Sequence, residues 1–398
     1  MPLLIVVRFF FSLLSLCILG GAAYLLWQWY DGDLVGQADG DLVRIRTEWF
    51  LWVGIGLAAF SMLGRPLITP LLAKRDSDPT SVVREEGQMI AGASGPQLYV
   101  EQLGPPTAPP VILVHGWAMD TTIWFYAKRD LARHFRVLCW DLPGMGKSTP
   151  ATGSAIGLTE FSQDLRTIIG LAGGQKVVLV GHSIGGMTIQ TLARDDPDFF
   201  NAHVAGTVLV NTTYTNPLKT MILSGLAQAI RWPLLEPLMR LGILLQPLVW
   251  LSAWQSYFSG TAHIANRLGF GTHVTRSQLE QTTLLSTRNS PANIHRGNLA
   301  MFRWDATKAM SGITAPLLVL AGNMDIVTKP EAGETIAMDH PRAIFTSFDG
   351  ANHMGFLERH GAYNAAIAAF AQSAHKEALV REQAGTNAIS QFVDARKS

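Results

Sequence analysis

The sequence predicts an α/β fold with a mostly parallel central sheet flanked by helices, a helical cap insertion and an N-terminal transmembrane hairpin. Three observations carry this. From about residue 87 onward, short apolar runs rich in β-branched residues alternate with helix-compatible segments, the pattern of parallel strands joined by crossover helices. One such run, VVLVGHSIGGMTI from Val177 to Ile189, reads as a buried strand, a tight turn and a helix, with a serine at the apex of the turn. The first 75 residues hold two long stretches almost free of charge, which is what a lipid-facing segment requires.

Composition agrees with this division. Of 398 residues, 48% are hydrophobic and only 15% charged, against about 25% charged in an ordinary soluble domain. A surplus of apolar residues on that scale is expected to meet lipid. A net charge of +1 speaks against a nucleic-acid partner, which calls for a strongly basic face. Cys17 and Cys139 fall in an apolar run and an expected buried strand, and neither reads as a disulfide or metal-site member.

Taken in order, the chain opens with the membrane signal. Phe9 to Tyr30 is 22 residues without a charge, and a hydrocarbon core needs about 20. Trp27, Trp29 and Tyr30 cluster as an interfacial belt, and Arg8 at the other end can snorkel to the interface. A cleaved signal peptide is the rival reading, since Gly20 to Ala23 offers small residues. The apolar stretch exceeds the usual signal core of about 7 to 15 residues, which favours an uncleaved anchor.

The second stretch, Trp49 to Gly64, has 16 uncharged residues and reaches Ala73 if Arg65 and Pro66 are tolerated. An acidic connector with Asp31, Asp33, Asp39 and Asp41 lies between the two. Arg8, Lys74 and Arg75 on one side give a hairpin with the catalytic domain facing the cytoplasm, although Arg44 and Arg46 oppose this. A single span would place the domain on the other side. Residues 1–75 are therefore the expected anchor, with one or two spans, and 76–86 a polar linker.

The core is expected over 87–212 and 313–375. Gly87 to Ala91 and Leu98 to Gln102 read as short strands around a turn. Val111 to Val114 is a buried strand ending at His115-Gly116-Trp117. A helix from about Thr122 to His134, a strand at Val137 to Trp140 and a helix from about Thr159 to Leu171 lead to the serine turn. Further strands are expected at Val204 to Val210, Pro316 to Ala321 and Ile344 to Phe348. Ligands of such sheets bind beyond the carboxyl ends of the strands, where each motif falls.

A serine hydroxyl is a poor nucleophile unless a base, usually an imidazole oriented by a carboxylate, activates it. At the Ser183 turn, the glycines two before and two after leave room for the bend. Among eleven histidines, His353 in Gly350-Ala351-Asn352-His353-Met354-Gly355 follows the last strand and would reach the same rim. His182 is assigned a packing or hydrogen-bonding role, and His360 and His375 are expected to be solvated. Asp325, after the strand Pro316 to Ala321, gives the chain order serine, aspartate, histidine. Asn211 is the alternative third member, but it is uncharged and poorly suited to stabilising an imidazolium. The backbone N–H groups of Trp117 and Ile184 are the expected oxyanion donors, each worth about 3 to 4 kcal/mol in the transition state. The Trp117 side chain would form a pocket wall.

These residues carry a resemblance. VHGW at 114–117, DLPGMGKS at 141–148, GHSIGG at 181–186, GNMD at 322–325 and GANHMGF at 350–356 together resemble the α/β hydrolase superfamily, in its serine esterase and lipase-like branch, over about residues 88–375. The resemblance implies that fold, a triad of Ser183, Asp325 and His353, and a helical cap between the two halves of the core. Related dehalogenases and epoxide hydrolases carry an aspartate where Ser183 stands, which argues against both reactions. GMGKS at 144–148 is similar to a phosphate-binding loop, but Asp141 occupies the place of its first glycine.

The cap is expected over 213–312. Pro217 to Trp254 is apolar, and Pro233, Pro237 and Pro247 interrupt it too often for one spanning helix. Short cap helices are expected there, forming an acyl tunnel, a lid on the bilayer or simply a small core of their own. A polar tail follows at 376–398. The reading is a membrane-anchored serine hydrolase of esters with a hydrophobic acyl or alcohol group, needing no cofactor or metal. Thioester, amide or C–C cleavage and acyl transfer use the same machinery. A non-catalytic membrane scaffold on the same fold is the alternative from another class.

Overall fold

The computed structural model describes residues 2–150 and 156–395. Helix α1, Pro2–Asp31, is a single helix of 30 residues. After it, β1 (Asp33–Gly36) and β2 (Leu42–Ile45) pair antiparallel, where the acidic run reads only as a connector. All eight of these strand residues are exposed, so no hydrophobic alternation announces the pair. Helix α2, Glu48–Leu63, is followed by α3, Arg65–Leu72, bent from it by 62°.

The contacts between α1 and α2 step in opposite directions, so the two helices pack antiparallel. Arg46 lies 5.0 Å above the Trp29 ring, Gly54 is where Leu26 packs, and Gly64 abuts Ser259, which is also the partner of Ser15. At 1.5 Å per residue, α1 is about 45 Å long and α2 about 24 Å. Val6 and Arg8 of α1 therefore lie beyond α2 and reach the cap. Among the described residues, one helix is by itself long and apolar enough to cross a membrane, over Val6–Asp31.

Residues 76–86 lack regular structure but are a strap rather than a free linker. The Tyr126 hydroxyl donates to the Asp78 carbonyl at 2.6 Å, and Thr80 N–H donates to Ser277 Oγ at 2.9 Å. Arg84 sits between Asp120 at 2.7 Å and Asp141 at 2.8 Å. Polar composition led to the linker expectation; the polar groups are instead spent on internal partners.

The first half of the core comprises β3 (Gly87–Ala91), β4 (Gln97–Leu103), β5 (Pro110–Val114), α4 (Phe125–Leu131), β6 (Arg136–Trp140), α5 (Leu158–Gly170), β7 (Val177–His182), α6 (Ile184–Asp195), α7 (Pro197–His203) and β8 (Val204–Val210). A 3₁₀ turn, Thr121–Trp124, capped by Asp120, precedes α4, so the expected helix Thr122 to His134 is shorter and in two pieces. The cap follows as α8 (Pro217–Thr220), α9 (Ser224–Ala229), α10 (Glu236–Leu244), α11 (Gln246–Ser259), α12 (Thr261–Arg267), α13 (Arg276–Arg288) and α14 (Pro291–Met301). Then come β9 (Leu317–Gly322), α15 (Pro330–Met338), β10 (Ala343–Phe348), α16 (Gly355–Glu358) and α17 (His360–Ala395).

The eight-stranded sheet has the order β10-β9-β8-β7-β5-β6-β4-β3. β4 runs antiparallel to both neighbours and the other pairs are parallel. Both faces are covered, which is why β5, β7, β8 and β9 are buried throughout and read as unbroken apolar runs. α17 runs through residue 376 without a break, so the polar tail starts as a continuation of a core helix. His375 on it is buried, not solvated, and burial pushes its imidazole down to about 4. His360 is half-buried and stacks on Tyr126 at 3.7 Å.

The cap has a small core of its own, with Leu218, Met221, Leu235, Met239 and Phe302, and Val6 of α1 packs against it. Its outer side is greasy: Trp232, Leu244, Leu248 and Leu251 are exposed.

Candidate active site

Ser183 stands between β7 and α6 at φ +53°, ψ −116°. A non-glycine residue in that region costs about 1 to 3 kcal/mol and persists only when its surroundings impose it. They do so here: Ser183 N–H donates to the Val210 carbonyl at 3.0 Å, and Thr212 Oγ1 donates to the Ser183 carbonyl at 2.6 Å. Gly181 and Gly185 leave no room for a side chain. A Cβ at Gly181 would lie 2.6 Å from the backbone of Gly185, and one at Gly185 would collide with the Val114 carbonyl.

The three residues expected to act together meet at the carboxyl ends of the strands. Ser183 Oγ and His353 Nε2 are 3.1 Å apart, and His353 Nδ1 is 3.0 Å from Asp325 Oδ2. His353, between β10 and α16, is fully buried; Ser183 and Asp325 are nearly so. Asp325 accepts N–H bonds from Val327 and Thr328 at 2.8 and 2.9 Å, and Asn211 Nδ2 and Thr328 Oγ1 donate to its other oxygen at 2.9 and 2.8 Å. Burial alone would raise this carboxyl, but the His353 imidazole and those donors outweigh it and hold the group below its ordinary value.

Asn352 ties the two loops together, its Oδ1 accepting from both His353 N–H (2.8 Å) and Ile326 N–H (3.1 Å). Asn211, considered in the sequence as a third member, instead orients Asp325. His182 has the local role expected of it: its Nε2–H donates to the His353 carbonyl at 3.0 Å. Burial, then the neighbouring His353, keeps it neutral well below the ordinary imidazole value.

Of the two expected oxyanion donors, Ile184 follows Ser183 directly and Trp117 lines the same inner cavity as His353. Ile184 opens α6, where N–H groups point away from the helix without an internal acceptor. Trp117 lies on the loop after β5, beside Ala118 at φ +60°. His115 organises that loop: its Nδ1–H donates to the Gly116 carbonyl at 2.8 Å, and its Nε2 accepts from Leu142 N–H at 2.9 Å. Burial pushes this imidazole down to about 4, so it stays neutral. Nothing in the motif around His115 distinguishes this structural role from a catalytic one. The Trp117 side chain is a wall, as expected, with Nε1–H donating to the Ile294 carbonyl at 3.1 Å and the ring against Gly297.

Beside His353 lies an inner cavity of about 30 Å³, walled by Trp117, Met119 and Met354. A larger one of about 290 Å³ lies between α1 and the cap, lined by Leu13, Leu16, Leu241, Leu245 and Leu248. Asn266, Ser286, Ile294 and Arg8 border both. Arg8 was expected to snorkel to an interface; its guanidinium instead turns to the cap and donates to Asn266 Oδ1. The signal for this was in the sequence, because Arg8, Ser12 and Ser15 fall on one helical face, and Ser12 and Ser15 meet Ser256 and Ser259.

Residues 109–360 match the family described as the alpha/beta hydrolase fold. The chain is similar to the pimeloyl-[acyl-carrier protein] methyl ester esterase of Nitrosospira multiformis, with 26% identity over 280 residues, 69% of this chain and 98% of that protein. The protein of the same description from Sodalis glossinidius is 26% identical over 268 residues, 66% of this chain and 93% of its own. Among solved structures, an esterase from Exiguobacterium antarcticum superposes with a TM-score of 0.58 at 20% identity, covering 72% of this chain and 100% of that one. A bromoperoxidase from Bacillus anthracis gives 0.58 at 20% identity, over 72% and 99%.

Proposed function

The chain belongs to the α/β hydrolase fold family, and on that premise we propose that it is a membrane-anchored serine hydrolase cleaving carboxylic esters with a hydrophobic acyl or alcohol group. Ser183 Oγ attacks the ester carbonyl while His353 Nε2 takes its proton. Asp325 holds His353 Nδ1–H and stabilises the imidazolium. The N–H groups of Trp117 and Ile184 receive the oxyanion. Collapse of the tetrahedral intermediate expels the alcohol, which leaves with the proton from His353. Water then repeats the cycle on the acyl-serine, releasing the acid. The observation that best supports this is the unbroken Ser183–His353–Asp325 hydrogen-bond chain, with His353 on the wall of the inner cavity.

The anchor is residues 1–75, with one or two spans supplied by α1 and α2, and Lys74 and Arg75 on the cytoplasmic side together with the catalytic domain. The curated relatives named above are described as methyl ester esterases, in keeping with an ester substrate here. The family match begins at residue 109, so α1, which walls one side of the outer cavity, lies outside it while the cap helices on the other side lie within it.

Hydrolysis of p-nitrophenyl esters from C2 to C16 in detergent, by wild type and Ser183→Ala, tests the reading. kcat/KM is expected to rise with chain length and to vanish in the variant. Activity confined to C2 to C4 keeps the triad but removes the acyl role of the cavity. Absence of both ester turnover and fluorophosphonate labelling at Ser183 in folded protein would leave a membrane scaffold.

A further inference from the structure

Arg8 is the single charge among residues 2–30, and it is part-buried and turned towards the cap. Its Nε is buried without a hydrogen-bond partner, its Nη2 donates to the neutral Asn266, and among the described residues no carboxylate lies within ion-pair distance of it. It borders the inner cavity together with His353 and the outer apolar cavity together with Leu13 and Leu241. A second group on the inner wall is also unsatisfied: Asn298, 1% exposed, leaves Oδ1 without a donor. A buried cation without a counter-charge is costly, and a fold that keeps one beside a cavity has the counter-charge supplied by what enters the cavity. The planar guanidinium fork suits a carboxylate or a phosphate.

We propose that Arg8 is a specificity-determining residue and that α1 completes the substrate site. The substrate is an amphiphilic ester whose apolar chain lies between α1 and the cap, and whose anionic oxygen group, carboxylate or phosphate, sits on Arg8 a few bonds from the ester at Ser183. The inference rests on the ester-cleaving reading for the identity of the scissile bond, but the anion site itself does not. The same residue makes the N-terminal helix part of the binding machinery as well as an anchor.

Calorimetric titration of full-length Ser183→Ala protein in maltoside micelles with dodecanoate, dodecyl phosphate and dodecanol tests this without turnover. At least one anionic ligand is expected to bind about tenfold or more tighter than the alcohol, and the tighter of the two identifies the anion. Adding Arg8→Gln should remove that preference, while Arg8→Lys, which keeps the charge without the fork, should retain part of it. Equal binding of all three ligands to the Ser183→Ala protein, or a preference that survives Arg8→Gln, overturns the proposal. Should Arg8→Gln fail to give monodisperse protein, the three-ligand comparison and Arg8→Lys decide. A preference lost in Arg8→Gln while wild type cleaves no ester, despite labelling at Ser183, would remove only the ester reading.

Discussion

Ser183 and Asp325 sit on backbone that cannot shift without breaking the sheet, whereas Arg8 and Leu241 sit on helices held by one another's side chains. On the sheet side, geometry is imposed by main-chain hydrogen bonds, by glycines that admit no Cβ and by a carboxylate with four donors besides His353. On the cap side, the wall is built of leucines around open volume, with a few polar pins: Arg8 to Asn266, Ser12 to Ser256, Ser15 to Ser259. The contrast teaches that reaction type and substrate choice are encoded by different physics. Chemistry needs positions fixed to fractions of an ångström, while accommodating a chain needs area and volume.

If the sheet side carries the chemistry, Ser183→Ala should lower kcat on a short ester by about 10⁶-fold with the melting temperature nearly unchanged. Asp325→Asn should cost about 10⁴-fold, because an amide can hold the wrong imidazole tautomer. A fall of less than tenfold would mean that Asp325 only shapes the loop.

Glycine substitutions test the two regions for tolerance directly. Gly185→Ala forces the elbow away from Val114 and should destabilise by about 3 kcal/mol. Gly225→Ala in the cap meets nothing within 4 Å and should stabilise α9 by about 0.5 kcal/mol. Equal effects in urea unfolding would erase the distinction.

Acid should act on the sheet side through His115. Its imidazole titrates near 6.5 unfolded and near 4 folded, so the unfolded chain binds the extra proton between those values. The stabilising contribution is complete above about pH 6.5 and is lost as pH falls towards 4. His115→Gln should flatten the dependence of unfolding free energy on pH by about 1.4 kcal/mol per unit in that window.

The smallest effect on stability is expected at exposed leucines of the cap. Replacing exposed Leu244 and Leu251 by Ser should change unfolding by less than about 0.5 kcal/mol each. It should nevertheless lower turnover of a vesicle-embedded ester several-fold more than turnover of a soluble C4 ester. Equal losses would make the greasy face a packing surface.

The same division explains what could be read in the sequence. The strands from β5 to β9 were legible to within a residue or two because burial on both faces leaves mainly apolar residues there, and the meeting of Ser183, Asp325 and His353 on one rim was legible because each follows a strand, the first two a fully buried one. His115, Asn211 and Asn352 act through partners distant in the chain, which no local pattern reveals. β1 and β2 were missed because four-residue exposed strands carry no alternation. The strap at 76–86 was missed because polar residues look the same whether they face water or, like Arg84, a buried pair of carboxylates.

The polar pins of α1 also set an order of events during synthesis. Arg8, Ser12 and Ser15 leave the ribosome before their partners, which lie 244 to 258 residues further along the chain. At about 5 to 20 residues per second, that is a delay on the order of 10 to 50 s. For that interval the first helix carries an unmatched cation and two unmatched hydroxyls. Docking of this helix must therefore wait for the cap to be synthesised.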